Sequence, residues 1–354
     1  MSDHLRHWPS KRLRRFCLIV VAFGIGSAVA ASQENVRVRE YQPMCDASGG
    51  AAIDDLHFLV VNDEDNILRI FHIDRAEPVL TYDLSAFLGI EYDDKSPESD
   101  LEGVARWGDY YFFISSHGRD RKGRFRENRC RFFAVKIDRS EGFDVQPVGK
   151  PYRRLIDDLL RLPSVKRTGL IDAYQPTVKK KTELAPKVRG VNIEGLAAAS
   201  SGELLIGFRN PRPKGHAIIA VLKNPLDVLL QGASAQFAPP FLIDFGGLGI
   251  RSMDWVPNLE RFMIIAGAHD FAERSQLYLW PGNHSRPELY QGVRLPENWN
   301  AETLIYNSDS RYLLILSDDG TRPARNTIGE TCACKDLDDP NLKKYRGMLV
   351  GLER

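Results

Sequence analysis

A short pattern that occurs five times along the chain constrains its fold more than any other feature. In its clearest copy, the apolar word Asn192–Ala197 is followed, after a brief polar gap, by the apolar run Glu203–Asn210. The copies begin near positions 47, 101, 192, 250 and 301. Apolar runs of this length, separated by turn residues, are typical of β-strands. Repeated pairs of strands at this period indicate a β-propeller or a solenoid.

The strand count within each repeat favours a closed ring. The first four repeats each show four predicted strands, and the fifth, which reaches the end of the chain, shows three. One further strand, at 36–41, precedes the first repeat without a partner of its own. If that strand completes the last sheet, the ring closes and leaves no unpaired strand edge exposed. Avoiding exposed strand edges is what favours closure. We therefore predict an all-β protein, a five-bladed β-propeller closed by its N-terminal strand.

A six-bladed ring is the alternative, and it would need a blade within residues 151–190. This segment instead resembles an insertion. Leucines and an isoleucine recur at helical spacing between Tyr152 and Leu162, and prolines interrupt the stretch after Leu162. We expect a partly helical insertion at about 151–190 within a single propeller domain covering 32–354.

Residues 1–31 have the pattern of a signal peptide. A basic start ends at Arg14 and Arg15, an apolar run extends from Phe16, and small residues at Ala30 and Ala31 offer a cleavage site. The alternative is an uncleaved anchor, but the run is shorter than the ~20 apolar residues of a spanning helix. We predict a periplasmic or secreted protein, cleaved near Ala30/Ala31, monomeric and without a stable membrane anchor.

Four cysteines lie beyond the predicted cleavage site: Cys45, Cys130, Cys332 and Cys334. An exported protein is in an oxidising compartment, where disulfides persist, and four cysteines allow two bridges. Closure of the ring would bring Cys45 beside the last blade. We therefore predict that Cys45 bridges to Cys332 or Cys334, which the chain-entropy model values at about 4–5 kcal/mol.

The propeller topology converts repeat positions into two rings at one end of the central channel. The first position of each repeat forms an inner ring of Ser48, Glu102, Glu194, Arg251 and Glu302. The end of each second strand forms an outer ring of Asp63, His117, Arg209, His269 and Asp318. These residues are scattered along the chain, so only ring closure would bring them together.

Three interpretations of the inner ring remain open. The first is a self-neutralising ring of ion pairs, because structural networks also contain perturbed carboxylates. The second is a divalent-ion site with Glu102, Glu194 and Glu302 as candidate ligands, and calcium as the candidate ion. The third is an anion-binding or catalytic mouth, in which His117, Arg119, Arg209 and Arg251 hold a phosphate or carboxylate while a glutamate acts as base.

A basic sector favours an anionic ligand. Seven basic residues lie between Arg119 and Arg131, and the loop of the third repeat adds Arg209, Arg212, Lys214 and His216. The insertion adds Lys179–Lys181, Lys187 and Arg189. The alternative is a solvated loop face. We expect an anionic small molecule or a cell-envelope polymer as partner, and no nucleic acid.

The recurring words resemble a bacterial exported family classified as domain of unknown function 3616. They include Glu-Gly-Leu-Ala at 194–197, Ser-His-Gly-Arg at 116–119 and Ile-Gly-Phe-Arg-Asn-Pro at 206–211. The resemblance implies a β-propeller. The Glu-Gly-Leu-Ala word is also distantly similar to that of esterase-like phytases, whose inner-strand carboxylates face a metal-bearing channel, but Ser48 and Arg251 depart from a full carboxylate ring.

These observations leave three function classes. The leading one is an exported propeller that binds an anionic or phosphorylated ligand at the channel mouth. The second is a phytase-like hydrolase of phosphate or other esters, with calcium as its candidate cofactor, and the third is a protein–protein interaction scaffold. Common nucleophile and metal-helix motifs are absent from the sequence.

Overall fold

Five four-stranded antiparallel sheets form the five blades of a β-propeller. The structure, a computed structural model, describes residues 36–92, 94, 96–268 and 275–352. The predicted signal peptide and His269 of the predicted outer ring lie outside the described residues. The predicted blade number and all-β class are confirmed.

The strands of the first two blades alternate direction and follow chain order from the channel outwards. The N-terminal strand β1 covers Val36–Tyr41. Blade 1 consists of β2 (Gly49–Ala52), β3 (His57–Val61), β4 (Ile67–His72) and β5 (Pro78–Asp83), followed by the short helix α1 (Ser85–Leu88). Blade 2 consists of β6 (Leu101–Trp107), β7 (Tyr110–Ser115), β8 (Phe132–Asp138) and β9 (Asp144–Tyr152).

The insertion separates blade 2 from blade 3 and contains helices α2 (Leu155–Leu159) and α3 (Leu170–Ala173). Leu155, Ile156 and Leu159 are buried in the core that blades 2 and 3 share. The insertion is therefore partly helical, as predicted, and contributes no blade. Blade 3 consists of β10 (Asn192–Ala198), β11 (Leu204–Asn210), β12 (Ala217–Leu222) and β13 (Phe237–Ile243), with helix α4 (Pro225–Leu230) before β13.

The last two blades differ in detail from their predicted strands. Blade 4 consists of β14 (Gly249–Val256), β15 (Arg261–Gly267), β16 (Ser275–Trp280) and β17 (Glu288–Leu289). Blade 5 contains β18 (Ala301–Asn307), β19 (Tyr312–Ser317) and β22 (Tyr345–Gly351), and a small hairpin of β20 (Pro323–Arg325) and β21 (Thr331–Ala333) interrupts it. The sequence predicted a longer β17, at 287–293, but only two residues pair with β16. The hairpin was not predicted.

The ring closes through the N-terminal strand. β1 pairs antiparallel with β22, with Val36 opposite Val350 and Tyr41 opposite Tyr345. The buried ring of Tyr41 stacks on Tyr345 of blade 5 and packs edge-on against Phe58 of blade 1, with ring centroids 5.5 and 5.3 Å away respectively. The predicted closure is therefore confirmed, and its strand also joins blade 5 to blade 1.

A disulfide between Cys45 and Cys334 fastens the same seam. Their Cα atoms lie 5.8 Å apart although 289 residues separate them in the chain. The prediction that Cys45 bridges to one of the two C-terminal cysteines is confirmed, whereas Cys130 and Cys332 are free thiols.

The hydrophobic core lies between neighbouring blades rather than in one central mass. Each main cluster combines buried residues from two adjacent sheets, for example Phe113 of blade 2 with Leu59 of blade 1. Burial of both faces of each sheet explains why the strands have continuous apolar runs. None of the helices in the described part of the chain has the length and hydropathy that a membrane-spanning segment requires.

Candidate functional site

Four of the five predicted inner-ring residues occupy the same backbone feature, a β-bulge in the innermost strand of a blade. Strand pairing passes from Leu101 to Gly103 while the partner strand advances by one residue, which leaves Glu102 as the extra residue. Glu194, Arg251 and Glu302 are extra residues in the same way in blades 3, 4 and 5. A bulge re-aims the side chain that it carries. It therefore places one charged residue from each of blades 2 to 5 at the channel.

A glycine follows the bulge residue in blades 2 and 3 and allows each inner strand to pack closely against the next blade. A Cβ atom on Gly103 would lie 2.9 Å from the Cβ of Leu196 in the next blade. A Cβ atom on Gly195 would lie 2.6 Å from Cγ2 of Ile250. The recurring Glu-Gly word thus combines a channel carboxylate with a close backbone approach.

Two arginines neutralise the carboxylates on one side of the mouth. Arg209 Nη1 donates to Glu194 Oε1 at 2.6 Å, and Arg251 Nη2 donates to Glu302 Oε1 at 2.6 Å. Arg251 Nε also lies 3.4 Å from Glu194 Oε2, and its Nη2 lies 4.0 Å from a carboxylate oxygen of Asp318. The side chains of both arginines are at most 8% exposed. The structure therefore brings Glu194, Arg209, Arg251 and Glu302 together as one buried ion-pair network.

The other side of the mouth carries carboxylates with little compensating charge. One carboxylate oxygen from each of Asp63, Asp100 and Glu102 lies within 4.8 Å of the other two. Asp100 receives an ion pair from Arg129 at 2.9 Å and a hydrogen bond from the Ser116 hydroxyl. No donor within the described residues reaches Glu102, although this residue is only 7% exposed. We call these three residues the acidic cluster.

Burial and mutual repulsion disfavour ionisation of this cluster. Burial, followed by the charges of Glu194, Asp100 and Asp63, raises the pKa of Glu102 well above its usual range. Burial and the charge of Asp100 do the same to the pKa of Asp63. These are the conditions that a bound cation would relieve, because a positive charge stabilises the ionised carboxylates.

Asp46 adds a fourth carboxylate beside the cluster. It is 6% exposed, and its Oδ1 atom has no hydrogen-bond partner in the described structure. Burial, and next the charge of Asp63, raise its pKa well above the usual value. The repeats did not point to Asp46 and Asp100, because each lies two residues before a predicted ring position and outside the repeated sequence pattern. The Asp-x-Glu spacing at 100–102 was the one signal that could have pointed to Asp100.

The remaining predicted site residues have other surroundings. Ser48 is buried just before β2. The Nδ1–H of His117 donates to the Ser115 carbonyl at 2.9 Å, and burial lowers the pKa of His117 to about 4. Arg119 donates to the carbonyls of Gly123, Val178 and Gln175, so it ties the insertion to blade 2. No described contact joins any of the three to the ion-pair network.

Most of the arginines in the basic loop of blade 2 form contacts within the protein. Arg124 and Arg126 both pair with Asp120, at 2.6 and 2.9 Å. Arg131 is fully buried and donates to backbone carbonyls, among them that of Glu127 at 2.8 Å. These arginines hold the loop in place, which explains much of the basic sector without a ligand.

The closed ring of five four-stranded blades makes this protein a β-propeller, and charged bulge residues surround its channel. The profile of a family described as protein of unknown function (DUF3616) matches residues 46–138 and 167–297, more than half of the chain. The chain therefore belongs to this family, in agreement with the resemblance of its motifs. None of the curated proteins compared with the chain matches it.

Solved structures of similar shape are remote in sequence. Glutaminyl cyclase from Myxococcus xanthus is 10% identical with a TM-score of 0.43, over 90% of this chain and 97% of that one. The PQQ-bound aldose sugar dehydrogenase from Streptomyces coelicolor is 12% identical with a TM-score of 0.40, over 91% and 99%. At this level of similarity neither protein indicates the activity of this chain.

Proposed function

We propose that this protein is an exported propeller that binds a divalent cation, with Ca²⁺ as the candidate, at its channel mouth. The acidic cluster of Asp63, Asp100 and Glu102 supplies the ligands. The observation that carries the proposal is the position of three carboxylate oxygens within 4.8 Å of one another. Ca²⁺ binds oxygen at about 2.3–2.6 Å, so oxygens on one ion can lie up to about 5 Å apart.

The unpartnered carboxylates support a cation rather than a purely structural ring. Glu194 and Glu302 each form an ion pair with an arginine. Glu102 and Asp46 are more than nine-tenths buried and have no ion pair within the described structure, and Asp46 Oδ1 has no hydrogen-bond partner there. Uncompensated buried charge is costly, and a divalent ion is the compact way to neutralise several carboxylates at once. Of the three predicted metal ligands, Glu102 alone belongs to the proposed centre.

The proposed ligand of the mouth is an anionic or phosphorylated molecule held through the cation. Arg209 and Arg251 already bind glutamates, so direct capture of an anion would break buried ion pairs. Three carboxylates leave several of the ~6–8 positions of Ca²⁺ open for waters or ligand oxygens. The cation would supply the positive charge that the engaged arginines do not offer.

Calorimetric titration of CaCl₂ into EDTA-treated protein tests the proposal. The wild type should bind one ion, and Asp63→Asn and Glu102→Gln should each weaken binding at least tenfold. The matched control is Glu64→Gln, which changes an exposed carboxylate beside Asp63 that instead faces Lys343 at 3.7 Å. A wild type that binds neither Ca²⁺ nor Mg²⁺, Mn²⁺ or Zn²⁺ would remove the proposal.

The same preparations separate the alternative functions. Ca²⁺ loading should add a binding site for inorganic phosphate that the EDTA-treated protein lacks and that Glu102→Gln removes. Release of phosphate from p-nitrophenyl phosphate in the presence of Ca²⁺, lost in Glu102→Gln, would make the centre a hydrolase rather than a binding site.

A further inference from the structure

A cleft of about 550 Å³ lies between the insertion and the loop that comes after β11 of blade 3. Its wall on the insertion side includes Lys181, Val188 and Arg189, and its wall on the blade side includes Pro211 and Arg212. This volume is within the range of small-molecule sites, about 300–1,000 Å³. The cleft is separate from the acidic cluster, with which it shares no residue.

The charges that line the cleft are mostly positive. The lining contains three cationic residues, Lys181, Arg189 and Arg212, and one acidic residue, Asp172. Within the described residues, the ammonium of Lys181 and the guanidinium of Arg189 make no hydrogen bond or ion pair. Arg212 donates to the carbonyl of Gly247. Lys181 and Arg189 thus differ from the arginines of the blade 2 loop, which internal partners engage.

Both walls of the cleft are fixed by hydrogen bonds. Asn210 is buried, and its side-chain amide donates to the carbonyls of Pro186 and Gly190, at 3.1 and 3.2 Å, which holds the end of the insertion on blade 3. The backbone N–H of Lys181 donates to the carbonyl of Gly123 at 2.9 Å, which holds the preceding part of the insertion on the loop of blade 2. A cleft held in this way loses little freedom on binding, which favours affinity.

Apolar groups lie beside the cations. Val188 is 49% exposed, and Leu184 and Pro211 also line the cleft. An apolar surface next to paired cations suits a molecule that has one anionic group and one apolar part.

We propose that this cleft binds a small organic anion through Lys181 and Arg189, with the apolar part of the ligand against Val188 and Pro211. The anionic group is a phosphate or a carboxylate, because both accept charge-assisted hydrogen bonds from lysine and arginine. Binding here requires no divalent cation, so this site is independent of the proposed cation centre.

Calorimetric titration with phenyl phosphate and, separately, with benzoate in EDTA buffer tests the proposal. The two probes share a ring and differ in the anionic group, so their affinities show which anion the cleft prefers. We expect the double variant Lys181→Ala/Arg189→Ala to weaken binding of the preferred probe at least tenfold. Val188→Ser should weaken that probe more than it weakens inorganic phosphate.

The matched control is Lys179→Ala/Lys180→Ala, which removes the same charge from the same basic run but from residues that do not line the cleft. It should retain wild-type affinity, and so should Glu102→Gln, which affects only the cation centre. Circular dichroism would verify that each variant is folded. Failure of both probes to bind the wild type, or equal losses in the two double variants, would overturn the proposal.

Discussion

The guanidinium of Arg251 donates to the carboxylate of Glu302 at 2.6 Å across the boundary between blades 4 and 5. Both residues are the extra residues of β-bulges, and their side chains are only 5% and 9% exposed. Because Arg251 also lies 3.4 Å from Glu194 of blade 3, one guanidinium links three blades at the channel. This contact ties the geometry of the mouth to the stability of the ring.

Arg251→Ala should destabilise the folded protein by about 3–5 kcal/mol, because it leaves a buried glutamate without its cation. Urea unfolding measures the change. Arg37→Ala is the control, since its pair with Asp74 is well exposed and should be worth under ~1 kcal/mol. Adding Glu302→Gln to Arg251→Ala should recover part of the loss. An Arg251→Ala/Glu302→Gln variant no more stable than Arg251→Ala would contradict the electrostatic cause.

The stability of the apo protein should fall as the pH rises from 6.5 to 8. Burial raises the pKa of Glu302 and of Asp254 to about 7. In the unfolded chain both carboxyls are already ionised over this range, whereas the folded state still holds protons at pH 6.5. The folded state therefore loses roughly 1 kcal/mol per group across this window.

Urea unfolding at the two pH values in EDTA would measure this loss, and Glu302→Gln should reduce it. His117, whose pKa is lowered to about 4, contributes with the opposite sign, but most of that contribution falls below pH 6.5, so within the window it offsets only part of the loss. Stability that rises between pH 6.5 and 8 in the wild type would be incompatible with these buried acids.

The blade count and the closing strand could be predicted because they depend on patterns that are local in sequence. Each apolar run marks a strand, and the missing fourth strand of blade 5 matches the unpaired strand at 36–41. A bridge from Cys45 to Cys332 or Cys334 was predictable from the same topology, but not which of the two it joins, which is Cys334. Repeat position likewise placed charged residues at the channel mouth.

The distribution of partners among those charges could not be predicted. Which carboxylate receives an arginine depends on how the bulges and the packing between blades orient each side chain. Glu102, Glu194 and Glu302 occupy equivalent positions in the repeats, yet Glu194 and Glu302 form ion pairs with arginines and Glu102 does not. Arg119 lies in a basic run, but its donors are taken up by backbone carbonyls of the insertion.

Removal of the disulfide should destabilise the ring at its seam. Cys45→Ser/Cys334→Ser should lower the free energy of unfolding by about 5 kcal/mol in the chain-entropy model, because the bridge closes a very long loop. Cys332→Ser is the control, since this thiol packs beside the bridge without joining it. Urea unfolding under oxidising conditions gives both values. Equal, small effects in the two variants would show that β1 and its aromatic contacts hold the seam without the bridge.

Gly195→Ala should destabilise the protein by overpacking the contact between blades 3 and 4. The added Cβ would lie 2.6 Å from Cγ2 of Ile250, closer than real contacts allow, and overpacking typically costs about 1–3 kcal/mol. Ile250→Ala alone should also destabilise, by about 2–5 kcal/mol, because it leaves a cavity. The combined variant should lose less than the sum, since the smaller side chain makes room for the new methyl group. Gly103→Ala, whose Cβ would instead meet Leu196 and Ile114, should add to Ile250→Ala without such coupling. Additive urea-unfolding energies for Gly195→Ala and Ile250→Ala would mean that the glycine of the Glu-Gly word is not required by this close approach.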